Sequence, residues 1–240
     1  MENCAEKVIN NILKQDKKIT VKLLGDSITH GVGGTGFNQN GKPIVEGFAR
    51  NKDGYCWAKQ FKDYMEKTYN CEVLNNACTG TNIRFVINNF DRLVADTDDL
   101  VICTIGTNDR HHYEKDGPKP TREEWGSRFY NNILTLYEKF KAKNKEVIFM
   151  ANIPASAQNE QDGECEGSVY WRLLHMDDIN AIYKKASDVC GFPLVSMYDL
   201  FSDYCKQNEI EIDSLLDDGL HPNDNGYDVM FMLLKKELGL

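Results

Sequence analysis

Four short segments of the chain hold the residue types used in nucleophilic catalysis. Gly25-Asp26-Ser27-Ile28-Thr29 directly follows the apolar run Ile19 to Leu24, which puts the Ser27 hydroxyl on the tight turn off a strand end, where a nucleophile is exposed. Asn75-Asn76-Ala77-Cys78-Thr79-Gly80 follows a second such run, and Gly80, having no side chain, lets its backbone N–H approach a ligand closely. Gly106-Thr107-Asn108-Asp109 follows a third, and the Asn108 amide offers a neutral N–H for an oxygen that gains negative charge. Near the C-terminus, Asp218-Gly219-Leu220-His221-Pro222 sets a carboxylate three residues before an imidazole, so one local turn can present both.

Together these types predict acyl transfer. A neutral His221 takes the Ser27 proton as the hydroxyl attacks an ester carbonyl, Asp218 fixes the imidazole tautomer, and an acyl-enzyme forms without any metal or cofactor. Each residue also has a plainer reading. Ser27 can be a helix cap, Gly80 and Asn108 can be turn residues, and Asp217 can orient the imidazole in place of Asp218. Asp26, Thr107 and Asp109 read as braces that hold the loops through side-chain-to-backbone hydrogen bonds.

The elements that must position these groups alternate in type. Five apolar, β-branched runs read as parallel strands: Ile19 to Leu24, Glu72 to Asn75, Leu100 to Ile105, Glu146 to Ala151 and Pro193 to Met197. Between them lie helical patterns over Tyr55 to Tyr69 and Ile83 to Val94. A further helix starts at the capping box Thr121/Glu124 and stops at Asn144, and others cover Tyr170 to Val189, Asp199 to Asn208 and Asn225 to Leu238. In such a sheet, ligands bind beyond the carboxyl ends of the strands, which is where the first three segments stand. Residues 1–240 read as one domain, because no linker, repeat or low-complexity tract divides them.

On the four segments taken together, the sequence resembles the SGNH, or GDSL, hydrolase superfamily, over the full chain and in the family's order. Residue by residue, the resemblance implies Ser27 as nucleophile, Asp218 and His221 as the rest of a triad, and an oxyanion hole of the Ser27 backbone N–H, Gly80 and Asn108. It also implies a flavodoxin-like three-layer α/β/α sandwich around a five-stranded parallel sheet. Two departures bear on substrate shape: Ala77 stands where many members have glycine, and a long connection follows Ser27.

Several other sites are excluded. Gly31-Val32-Gly33-Gly34-Thr35-Gly36 has the spacing of a dinucleotide loop, but Gly41 and Pro43 deny it the helix whose N-terminus would hold a pyrophosphate. No serine lies in a GxSxG context. His111 and His112, with Glu114 and Asp116 in the long connection Arg110 to Pro120, lack the helical spacing of a zinc motif.

Composition narrows the partners. With 37 acidic and 28 basic residues the net charge is -9, which repels phosphate backbones and argues against nucleic acid. No stretch reaches the roughly 20 apolar residues of a membrane span. The charged N-terminal stretch lacks the core of an export signal, so a cytoplasmic location is expected, and the eight cysteines show no CxxC pair and read as reduced structural thiols. The expected partner is a small-molecule or glycan ester, with short acyl groups on a carbohydrate as the first reading. A lysophospholipase or thioesterase is the second, and a non-catalytic glycan-binding module is the alternative of another class.

Overall fold

The computed structural model describes residues 3–37, 54–113, 117–164 and 170–240. At its centre are five parallel strands: β1 (Ile19–Gly25), β2 (Cys71–Asn75), β3 (Leu100–Thr104), β5 (Glu146–Ala151) and β8 (Leu194–Ser196), in the order β2-β1-β3-β5-β8. These are the five apolar runs of the sequence, with no end shifted by more than one residue. Successive side chains alternate between faces, and both faces are covered. On β3, Leu100 and Ile102 join one buried cluster while Val101 and Cys103 join the other.

The first cluster is closed by α1 (Cys4–Leu13), α3 (Trp57–Thr68), α8 (Met197–Gln207) and α9 (Asp224–Glu237). The second is closed by α4 (Ile83–Asn88), α5 (Phe90–Leu93), α6 (Arg122–Ala142) and α7 (Met176–Cys190). The result is a three-layer α/β/α sandwich with the flavodoxin-like strand order. Chain order reverses beside β1, so the switch point lies between the carboxyl ends of β1 and β3, where Gly25 is in register with Thr104.

Several local expectations are corrected. The helix read over Ile83 to Val94 is broken at Asn89, which caps α4 and precedes α5. The helix read from Tyr170 begins only at Met176, because Tyr170–Arg172 forms a strand, β7. With β4 (His111–Tyr113) and β6 (Gly163–Glu164) it builds a small antiparallel sheet in the order β4-β7-β6. The connection after Arg110 is therefore partly strand. The capping box at Thr121 forms as expected, and Asn144 ends that helix region with a positive φ of 51°.

The connection from Gly31 to Asp53 is described as far as Phe37, and Gly41, Pro43, Glu114, Asp116 and Cys165 lie outside the described residues. The described cysteines are all free, with Cys103 buried in β3. Among the described residues no helix is long and apolar enough to cross a membrane.

Candidate active site

Ser27 is the first residue of a four-residue helix, α2 (Ser27–His30), that leaves the end of β1. Its cap is Asp26, whose carboxylate accepts the Ile28 N–H at 3.0 Å, so the Ser27 hydroxyl is not spent on capping. Instead its Oγ lies 2.8 Å from His221 Nε2. On the other side of the ring, His221 Nδ1 lies 2.7 Å from Asp218 Oδ2. It is Asp218, not Asp217, whose carboxylate meets the imidazole. The second Asp218 oxygen accepts the backbone N–H groups of His221, at 2.8 Å, and Leu220, at 3.0 Å. Burial pushes the Asp218 carboxyl up, but the backbone and ring N–H groups of His221 outweigh that and leave it below its ordinary range.

The segment 216–222 is a tight loop. Leu216 and Pro222 form an antiparallel bridge, and the Asp217 N–H donates to the His221 carbonyl at 2.8 Å. Gly219 sits at φ +81°, and a Cβ there would lie 2.5 Å from Ser156 Oγ, so a side chain meets both backbone strain and a clash. The Ser156 N–H in turn donates to the Gly219 carbonyl at 2.8 Å. The glycine run Gly31 to Gly36 packs on the same loop, since a Cβ on Gly33 would lie 2.4 Å from the Pro222 carbonyl oxygen. A Cβ on Gly34 would likewise meet the Tyr55 carbonyl, so close packing of backbone accounts for these two glycines.

Gly80 has φ +75°, and nothing lies within 4 Å of where its Cβ would be, so the space beside it is open. Asn108 opens a short 3₁₀ turn after β3, and its amide donates to the Thr81 carbonyl at 2.9 Å. That bond ties the loop of Gly80 to the loop of Asn108 and leaves the other amide hydrogen free of this partner. The Gly80 loop is joined in turn to the Ser27 loop: the Cys78 N–H donates to the Gly25 carbonyl at 3.1 Å, and Asn75 Nδ2 to the Thr29 carbonyl at 3.0 Å. A hydroxyl, an imidazole anchored by a carboxylate and two neutral N–H bearing loops thus meet at the switch point. This arrangement can move a proton from an attacking oxygen and hold charge on a carbonyl oxygen.

A family model, GDSL-like lipase/acylhydrolase, matches residues 23–229. The chain belongs to this family. It is a carboxylic ester hydrolase. Solved structures agree on the fold. An alpha/beta hydrolase enzyme from the metagenome of Lake Arreo, Spain, is similar with a TM-score of 0.67 and 18% identity, covering 95% of this chain and 98% of that one. An acetylxylan esterase from Geobacillus stearothermophilus is similar with a TM-score of 0.62 and 19% identity, over 93% and 95% of the two chains. No curated protein matches the sequence.

Under the site, this GDSL-like hydrolase has a frame that the sequence reading covered only in part. Asp26 and Asp109 brace the loops through backbone N–H groups, whereas the Thr107 hydroxyl meets the Asn152 side chain. Asn152, just after β5, was not singled out, yet its Nδ2 lies 3.0 Å from Asp26 Oδ2 and 2.7 Å from Thr107 Oγ1, so one buried amide joins the loops after β1 and β3. Burial pushes Asp26 up to about 6, against the pull of the Ile28 N–H, Thr107, His221 and Asn152. Asp109 accepts the Ile83 N–H at the start of α4, and burial together with the charge of Asp26 pushes it up to about 7 despite that bond and Arg84. Tyr227 is buried in the core, and its hydroxyl also lies 3.0 Å from the Ile28 carbonyl and 2.6 Å from that of Val32.

His111 and His112 fall on β4, with His112 packed between Trp125 and Trp171. Among the described residues, His175, Asp177 and Asp178 bring ligand-type atoms within 4.8 Å of one another, but the Arg122 guanidinium already pairs with Asp178 there.

Proposed function

We propose that the chain hydrolyses short acyl esters, acetyl above all, carried on a carbohydrate, with Ser27 as nucleophile, His221 as general base and Asp218 as its orienting carboxylate. The observation that carries this reading is the unbroken line from Ser27 Oγ through the imidazole to Asp218, at 2.8 and 2.7 Å. The hydroxyl gives its proton to Nε2 as it attacks the ester carbonyl, and Asp218 stabilises the imidazolium that results. Collapse of the tetrahedral intermediate expels the alcohol, which takes the proton back from His221, and water repeats the sequence to release the acid. The Ser27 and Gly80 backbone N–H groups and the Asn108 amide hold the oxyanion in both intermediates.

The carbohydrate assignment is supported by the acetylxylan esterase among the similar structures. Variants of that enzyme described as catalytic mutants replace a serine, an aspartate and a histidine three positions beyond the aspartate. The types and the spacing are those of Ser27, Asp218 and His221 here. Ser27→Ala tests the reading: hydrolysis of p-nitrophenyl acetate and labelling by a fluorophosphonate are both expected to vanish while the far-UV circular dichroism is unchanged. Full turnover in that variant would end the proposal.

A further inference from the structure

A cavity of about 330 Å³ opens beside Asn108, lined among others by Asn108, Arg84, Arg128, Trp125, Tyr113 and Asn132. Neither Ser27 nor His221 lines it, and its volume lies in the range of roughly 300–1,000 Å³ usual for small-molecule sites. Its charge is one-sided. Arg84 and Arg128 both line the cavity, and neither forms an ion pair among the described residues, although the charge of Arg84 reaches Asp109 and that of Arg128 reaches Glu124. His111, also in the wall, is neutral, because burial and then Arg110 and Arg172 press its imidazole down to about 3. The one carboxylate, Asp109, is turned to the Ile83 N–H, which lies 3.0 and 3.2 Å from its two oxygens. In a chain of net charge -9, two arginines lining one cavity that holds a single carboxylate, Asp109, run against the overall balance.

The wall is also held in place. Trp125 Nε1 donates to the Asp109 carbonyl at 2.7 Å, which fixes the indole, and the Arg128 guanidinium stands 5.7 Å from the ring centroid. Guanidinium groups bind carboxylates through paired hydrogen bonds, and a fixed aromatic face accepts the apolar side of a ring or chain. Asn108 belongs to both places, so the cavity adjoins the candidate oxyanion donor.

We propose that this cavity is a specificity subsite for a carboxylate carried by the ester substrate, with Arg84 and Arg128 as the residues that select it. The proposal rests on the hydrolytic reading above. The carboxylate belongs either to the alcohol, as in an acetylated sugar acid, or to the acyl group, as in a half-ester of a dicarboxylic acid.

Two matched pairs separate the sources: acetylated methyl galacturonoside against acetylated methyl galactoside, and mono-p-nitrophenyl succinate against p-nitrophenyl butyrate. In one pair kcat/KM is expected to favour the acid by about tenfold or more, as a charge-assisted contact allows. Arg84→Gln with Arg128→Gln is expected to collapse that ratio towards one, and the corresponding double Lys variant to keep part of it. No acid preference in either pair, or a preference that survives the double Gln variant, overturns the subsite.

If the enzyme cleaves none of the esters, the hydrolytic reading fails by itself. The subsite is then judged by calorimetric titration of Ser27→Ala with sodium galacturonate and with sodium succinate. Binding that the double Gln change removes supports the subsite, and absent or unaffected binding overturns it.

Discussion

The two halves of the site are held by different physics. Ser27 stands on a buried frame in which Asp26, Asn152 and Thr107, drawn from three separate strand ends, are hydrogen-bonded to one another inside the protein. Asp218 and His221 stand on a loop of a few residues, bonded mostly to itself, with the Asp218 side chain about half exposed. A buried polar network is costly to break, because each group that loses its partner keeps its desolvation cost. A surface loop has little buried area at stake. The difference predicts that damage to the frame costs stability and activity together, whereas damage to the loop costs activity almost alone.

The largest effect tests the loop half. Asp218→Asn keeps an oxygen for the backbone N–H groups of Leu220 and His221 but offers the imidazole an amide where it needs an anion. On the order of a 10⁴-fold loss in kcat is expected, as seen when the carboxylate of a serine-protease triad is replaced in this way. The urea midpoint should move little. A loss under tenfold would mean that Asp218 merely closes the turn.

Asn108→Ala should come next, with a fall of about 10²- to 10³-fold in kcat and a smaller change in KM, since a donor aimed at the oxyanion acts on the transition state. An equal rise in KM with kcat retained would instead assign Asn108 to ground-state binding.

Asn152→Ala sharpens the comparison from the frame side. It strips a donor from both Asp26 and Thr107, at a cost of about 1–3 kcal/mol. For a chain of this size that lowers Tm by roughly 2–4 °C per kcal/mol, read by calorimetry. Turnover should fall with it, because Asp26 then loses one of the bonds that fix the start of α2. Unchanged Tm with reduced turnover would place Asn152 in the chemistry and dissolve the distinction between the halves.

The sequence makes these two halves unequally legible. The centre of the sheet could be read because β1, β3 and β5 are runs buried on both faces along nearly their whole length, and burial on two faces leaves an apolar run that needs no partner to be recognised. Ser27, Asp218 and His221 could be found because each stands at a fixed short distance from a strand end or from its partner. Strands of two or three residues, β4, β6 and β7, carry no such periodicity, and Tyr170 and Trp171 fit a helix pattern equally well until a partner strand is present. The break at Asn89 is likewise a tertiary outcome. Asn152 was missed for another reason. It directly follows the fourth apolar run, Glu146 to Ala151, so its place beyond a strand end is a signal that the sequence does carry. What no local pattern gives is that its amide reaches across to Asp26.

The smallest effect concerns pH and divides the frame itself. Asp109 is pushed up to about 7, against 3.8 for a free carboxyl, first by burial and then by the charge of Asp26. Between those values the folded protein holds a proton that the unfolded chain has released. The stability this contributes is present in full below about pH 4 and is lost as pH rises through about 7. Asp26, pushed up to about 6, acts in the same direction over a narrower window. Asp109→Asn retains an oxygen for the Ile83 N–H and cannot ionise, so the fall in unfolding free energy from pH 5 to pH 8 should be smaller than in the wild type by about 1–3 kcal/mol. Part of the slope should survive in that variant because Asp26 remains. A wild-type slope identical to the variant's would show that Asp109 is already ionised at pH 5, and that the frame pays no proton-linked cost beneath α4.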